Sequence, residues 1–284
     1  MQRYRFLLRP KWIFGHVIVV TLVTTFILCG FWQLSRLHQR KAFNSLVRGN
    51  QSEAVVPVTT LGLRPSQGTG HARADQGRRV TVTGTYLADR SMVITGQSID
   101  GNPGVWVVTP VALDDGTLVL VNRGFLQDNG TLSAAPVQSA PPPGRVTITG
   151  TVQPTETPSV FQRRDPEQLR TSYQRIDVDR IRDGLARPTL PLWILSDGHQ
   201  VPKDPGLAMQ TVPPPALTNG PHLGYAVQWF AFTLVGLIGY PLLISKKAGD
   251  FERGPDHDEI IDETEPTADT SEPGSSNGAL TSAR

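Results

Sequence analysis

Two stretches of the chain are apolar almost without interruption, and the region between them alternates apolar with polar residues. Residues 13–34, IFGHVIVVTLVTTFILCGFWQL, and residues 225–244, YAVQWFAFTLVGLIGYPLLI, contain no Asp, Glu, Lys or Arg. Each has close to the ~20 residues an α-helix needs to cross a hydrocarbon layer about 30 Å thick. The leader Arg3, Arg5, Arg9 and Lys11 would suit a signal peptide. The apolar run is too long for one, and no small-x-small cleavage pattern follows, so the first stretch reads as an uncleaved anchor. Cys29-Gly30 is preceded by Leu28, where a lipid-attachment signal needs a small residue.

The intervening region reads as β-strands. RRVTVTGTYL (78–87), RSMVITGQSI (90–99), GVWVVTPVAL (104–113), GTLVLVNRGFL (116–126) and GRVTITGTVQ (144–153) are rich in Val, Ile and Thr, and turn-formers such as SIDGNPG and DDG separate them. Asp115-Gly116 between two apolar runs predicts a hairpin. The first and last of these strands repeat R-V-T-[VI]-T-G-T, either a duplicated element or convergent alternation. Gly84 and Gly150 in the repeat suit a bulge or a bend. Residues 64–79, RPSQGTGHARADQGRR, have almost no apolar member and predict a mobile loop. A short helix is expected between residues 165 and 184, and proline-rich 201–215 predicts a semi-rigid strut into the second apolar stretch.

The pattern therefore predicts a membrane protein with two transmembrane α-helices flanking an extracytoplasmic β-rich domain, an antiparallel sheet or partly closed barrel of α+β class. The expected boundaries are a cytoplasmic N-terminal segment (1–12), a transmembrane helix (13–34), the β-rich domain (35–221), a second transmembrane helix (222–244) and a disordered acidic cytoplasmic tail (245–284). Basic residues set the orientation: none lies between Lys203 and Tyr225, whereas Lys246, Lys247 and Arg253 follow the second stretch. Both termini are then cytoplasmic.

Charge adds little. The net value of +2 hides an acidic tail, and across residues 35–221 Lys and Arg outnumber Asp and Glu by only 19 to 15, too few to argue nucleic-acid binding. A single cysteine excludes an intramolecular disulfide and a thiolate metal cluster. No nucleophile elbow, HExxH or phosphate-binding loop occurs, so no catalytic residue is named and no enzyme is predicted.

Polar groups at the apolar stretches are more informative. In NGPHLGYAVQWFAF (219–232) a helix beginning at His222 would place Trp229 about 20° and Tyr225 about 60° from the histidine, with Thr233, Gly236 and Tyr240 on the same side. An interfacial aromatic belt with small residues for helix contact explains this stripe. So does a planar cofactor ligated by His222, a neutral imidazole being a usual axial ligand of haem iron. Spacing alone leaves both readings open. His16 reads as an interfacial histidine beside Trp12, and His38 is the other histidine beside the outer end of a span. Gln33 needs a partner at its depth, and Gln228 is the expected one. Arg123, in VNRGF, is suited either to carboxylate recognition or to an internal ion pair.

FWQLSRLHQRK with its preceding glycine resembles the G-x-W-Q-x-x-R signature of the surfeit locus protein 1 family at Gly30, Trp32, Gln33 and Arg36. GVWVVTPVALDDGTLVLVNRGF resembles that family's central G-x-x-V-x-T-P and V-N-R-G-[WF], with Phe125 where Trp is common. GPHLGYAVQWFAF resembles its closing H-x-x-Y-A-x-[QT]-W-F. The resemblance implies a non-enzymatic assembly factor for haem-copper cytochrome c oxidase, in a bacterial plasma membrane, that binds haem a. His222 would be the iron ligand, with Tyr225, Trp229 and Arg123 as further cofactor-binding residues. Oxidase subunit I and the haem a synthesis machinery would be its partners. A cofactor-free, membrane-anchored β-module binding an envelope polymer or protein is the alternative from another class, and a membrane hydrolase a third without a nameable carboxylate.

Overall fold

The computed structural model describes residues 5–157, 171–203, 206 and 208–253. They form two compact units, one of Met1–Trp32 with Gly224–Arg284 and one of Gln33–Leu223.

The first unit is helical. Its apolar stretches lie within α1 (Pro10–Ser52) and α3 (His222–Arg253). Both helices are long and apolar enough to cross a membrane, and almost none of their apolar windows is buried. That exposure suggests a membrane protein, since a soluble surface rarely carries so large an apolar patch. α1 starts at Pro10, where the missing N–H costs no helical hydrogen bond. The two helices touch through small residues: a Cβ on Gly30 would fall 2.7 Å from the Phe230 ring, and one on Gly236 would fall 2.9 Å from Val23. Phe26 packs on Trp229 and Phe232 with ring centroids 5.6 and 5.8 Å away. Nearer the N-terminus of α1, the Tyr240 hydroxyl lies 2.6 Å from His16 Nδ1, giving both groups a partner within the apolar region.

Both helices extend beyond their apolar stretches. From Gln33 onward α1 belongs to the second unit, where Leu37, Asn44 and Val47 form a buried stripe at helical spacing. α3 continues to Arg253, so residues 245–253 of the expected disordered tail (245–284) are helical. The acidic tail from residue 254 lies outside the described residues.

The second unit is built on β1 (Val56–Pro57), β2 (Arg79–Tyr86), β3 (Met92–Ile99), β4 (Asn102–Ala112), β5 (Leu118–Gln127), β6 (Arg145–Pro154), β7 (Ser172–Tyr173) and β8 (Thr189–Val201), with α2 (Val178–Leu185) before β8. The strands form one sheet in the order β1-β2-β6-β8-β5-β4-β3-β7, so the partly closed barrel is not formed. β2 also meets β4, but only at Thr85 with Ala112 and Tyr86 with Val111. The expected antiparallel sheet is mixed instead: β8 runs antiparallel to β6 and parallel to β5.

The centre of the sheet is apolar on both faces. Val119, Val121, Leu192 and Ile194 join Val80, Val82, Ile148 and Val152 on one side. Leu120, Trp193 and Leu195 join Ile94, Phe125, Ile176 and Ile181 on the other. Strands covered on both faces read as continuous apolar runs rather than alternation.

The two R-V-T-[VI]-T-G-T copies pair with each other, Val82 opposite Ile148 and Thr83 opposite Thr147. A Cβ on Gly84 would strike the Ala112 carbonyl and one on Gly150 the Leu195 carbonyl, so close backbone approach requires both glycines. The hairpin at Asp115-Gly116 forms as expected, with Gly116 at φ +79° and Asp115 Oδ1 accepting from the Thr117 amide at 2.8 Å.

Residues 64–79 are not the featureless loop their polarity predicts. A 3-10 helix at Thr69–Arg73 places Ala72 fully in the core, and Asn50 Nδ2 donates to the carbonyls of Ala74 and Gln76 at 2.8 and 2.9 Å. One buried alanine and a side-chain donor fix the segment; His71 and Arg73 face solvent, while Asp75, Gln76 and Arg78 are half-buried. The short helix expected within 165–184 is α2, shifted to Val178–Leu185 and capped by Asp177, whose side chain accepts from the Arg180 amide. The remainder of that stretch, 158–170, lies outside the described residues.

Candidate functional site

The site begins where the chain enters α3. Asn44 is buried, and its Nδ2 donates to Thr218 O at 3.2 Å and Asn219 Oδ1 at 3.1 Å, while Arg48 donates to Leu217 O at 3.4 Å. These bonds tie residues 217–219 along α1. Gly220 then adopts φ +66°, a left-handed conformation that a side chain would resist, and Pro221 leads into His222 as the first residue of the helix.

His222 Nδ1 lies 2.9 Å from Gln33 Oε1. With a carbonyl oxygen as its partner, Nδ1 is the donor, so in the neutral imidazole it is Nε2 that offers the lone pair. This is how ligating histidines are ordinarily oriented, by a hydrogen bond from the nitrogen that does not bind metal. Gln33 therefore pairs with His222, not with the expected Gln228, which is exposed.

Arg36, Gln39, Arg40 and His222 line an open groove of about 360 Å³. Arg36 and Arg40 stand one turn apart on α1, and Arg36 Nη1 donates to Gln39 Oε1 at 3.2 Å. Gly220 forms part of the cradle, because a Cβ there would sit 3.4 Å from His222 Nε2 and crowd it.

Among the described residues no three His, Cys, Asp or Glu side chains converge to hold a metal ion. A single imidazole beside two guanidinium groups instead suits a metal that arrives in its own organic chelate bearing carboxylates. The residues present thus fit a haem: His222 Nε2 for the iron, Arg36 and Arg40 for the propionates.

The remaining expected site residues are dispersed. Tyr225 and Trp229 stand on the next turns of α3, within the helical unit; Tyr225 is 49% exposed, and Trp229 packs on Phe26 and Phe232. Arg123 is absent from the groove. It lines a different cavity of about 540 Å³ within the β-unit. There it is buried, donates to Ser139 O at 2.6 Å and lies 5.3 Å above the Tyr86 ring. His38 is exposed and does not line the groove. Of the groove residues, the sequence pointed to His222 as a ligand but not to Arg36, Gln39 and Arg40 as its lining. The spacing of Gln33, Arg36 and Arg40 on one helical face was the available signal.

Residues 20–234 match the SURF1 family. The chain belongs to that family. It is 30% identical over 240 residues to a SURF1-like protein of Mycobacterium tuberculosis, covering 84% of this chain and 85% of the relative. A SURF1-like protein of Rickettsia felis is 23% identical over 228 residues, covering 79% and 94% respectively. One from Monosiga brevicollis is 28% identical over 245 residues, covering 78% and 84%. SURF1 membership suggests a part in cytochrome oxidase assembly, and the matched range includes Gln33, Arg36, Arg40 and His222.

Proposed function

We propose that this SURF1 protein is a non-enzymatic assembly factor for cytochrome c oxidase that carries haem a, with His222 as its iron ligand. The observation that carries the reading is the 2.9 Å contact of His222 Nδ1 with Gln33 Oε1, which leaves Nε2 as the lone-pair nitrogen beside Arg36 and Arg40. Haem a would supply an iron for that imidazole to ligate and two carboxylates for the arginines. Gln33 fixes the tautomer and the ring plane, Gly220 keeps the approach to Nε2 clear, and the groove is open enough for cargo to leave.

In this reading the chain is a two-span protein of a bacterial plasma membrane, with both termini cytoplasmic and the β-unit on the outer side. Lys246 and Lys247 after the second apolar stretch support that orientation. Oxidase subunit I is the acceptor of the haem, and the haem a synthesis machinery is its source.

The test is the haem a content of oxidase purified from cells carrying His222→Ala. The expected outcome is a several-fold loss of haem a per oxidase at unchanged abundance of the variant, since a half-exposed imidazole contributes little to folding. Oxidase with its full haem a complement would contradict the proposal.

A further inference from the structure

We infer that the cavity beside Arg123 is a binding site for a small organic carboxylate, separate from the His222 groove and sharing no lining residue with it. At about 540 Å³ it has the size of an ordinary small-molecule site. Its walls come from β6, through Thr147 and Thr149, and from the outer end of β8. The segment at Met209 closes one side. Reciprocal backbone hydrogen bonds between Gln210 and Phe125, 2.8 and 3.0 Å long, hold that segment against β5.

The described lining residues are cationic or neutral. Arg123 forms the floor, permanently charged and only 7% exposed. Its bond to Ser139 O and its place over the Tyr86 ring fix the guanidinium without an occupant. Gln200 Oε1 accepts from the Tyr86 hydroxyl at 2.8 Å, which sets the orientation of the amide. Gln200 Nε2 is consequently a buried donor with no hydrogen-bond partner among the described residues. A buried amide donor left unsatisfied is unfavourable and marks a place where an acceptor belongs. Lys203 stands exposed at the rim and adds a second cation. Ser196 and the two threonines contribute hydroxyls, and none of the described lining residues is Asp or Glu.

An anion that only accepts hydrogen bonds satisfies this set. A planar carboxylate matches both the planar guanidinium and the planar amide, and Met209 and Val201 leave room for an apolar body. The site does not depend on haem, and its test is independent of the haem spectrum.

Calorimetric titration of the full chain in mild detergent with benzoate, benzamide and phenyl phosphate tests it, because the first two share a shape and differ in charge. Benzoate should bind at one saturable site, with benzamide at least about tenfold weaker. Gln200→Leu should weaken benzoate about tenfold, and Lys203→Gln, at an exposed position that leaves folding intact, roughly three- to tenfold. Equal affinity for benzamide, no benzoate binding, or benzoate binding indifferent to both substitutions would overturn the inference. Tighter binding of phenyl phosphate at the same site would overturn the carboxylate assignment in favour of a phosphate.

Discussion

The His222 groove and the Arg123 cavity both lie in the β-unit, yet they are built differently. The groove is assembled from one exposed face of α1 and a single residue at the start of α3, held by side-chain bonds between the two segments. The cavity is cut into the packing of the sheet, and its cation is bonded into the protein interior. A polar group on a helix face can be changed with little effect on folding, whereas a buried one supports its neighbours as well as any ligand. Substitutions at the groove should therefore separate function from stability, and those at the cavity floor should not.

The largest effect is expected at the floor. Arg123→Met deprives the Ser139 carbonyl of its donor and removes the cation over Tyr86, and should lower unfolding free energy by roughly 2–4 kcal/mol in chemical denaturation. A near-wild-type midpoint would mean that the floor is as independent of the fold as the groove. An intermediate effect is expected at Gly220→Ala, where a Cβ meets the φ of +66° and stands 3.4 Å from His222 Nε2. Its stability should fall by about 1 kcal/mol from the backbone strain, while haem retention on a desalting column falls much further. Unchanged haem retention would remove Gly220 from the cradle.

The smallest effect concerns pH and neither site. Burial raises the Glu156 carboxyl above its ordinary 4.5, outweighing the Ile176 amide bond and the nearby Arg175 charge that lower it. From about 4.5 up to its folded pKa, the folded chain holds more protons than the unfolded one, so this group makes stability decline as pH rises through that window. Asp75, raised by burial, acts in the same direction. Asp114 is held below 3.8 by its hydrogen bonds with Arg145, and its contribution is instead lost as pH falls. Glu156→Gln keeps an acceptor for Ile176 and should flatten the decline, raising the thermal midpoint at pH 7 by about 1 °C or less. A steeper decline in the variant would reverse the sign assigned to Glu156.

The sequence carried the groove better than the cavity. His222, Gln33 and Arg36 lie in motifs beside apolar stretches, and 3.6-residue periodicity shows which of them share a face. The pairing of Gln33 with His222 instead of Gln228 depends on the turn at Gly220, which sequence spacing does not specify. Five strands were legible from Val, Ile and Thr alternation. β8 was not, because TLPLWIL contains Pro191, and proline argues against an interior strand. The structure accommodates it at a register shift between the Thr189 and Trp193 pairings with β5, where the ladder is interrupted. With β8 unseen, the cavity it walls was invisible, and so was the placing of Arg123 there and not beside His222. Ala72 shows the same limit: one small residue in a polar run gives no pattern, yet it is fully buried.

The visible absorption spectrum of the detergent-purified chain from cells that make haem a tests haem ligation by His222 most directly. The wild-type protein should show a Soret band of a histidine-ligated haem. Gln33→Leu, which frees the Nδ1 tautomer, should retain a shifted band of several-fold lower intensity, and His222→Ala should lose it while folding normally. A His222→Ala protein with the wild-type spectrum and haem content would contradict ligation at His222.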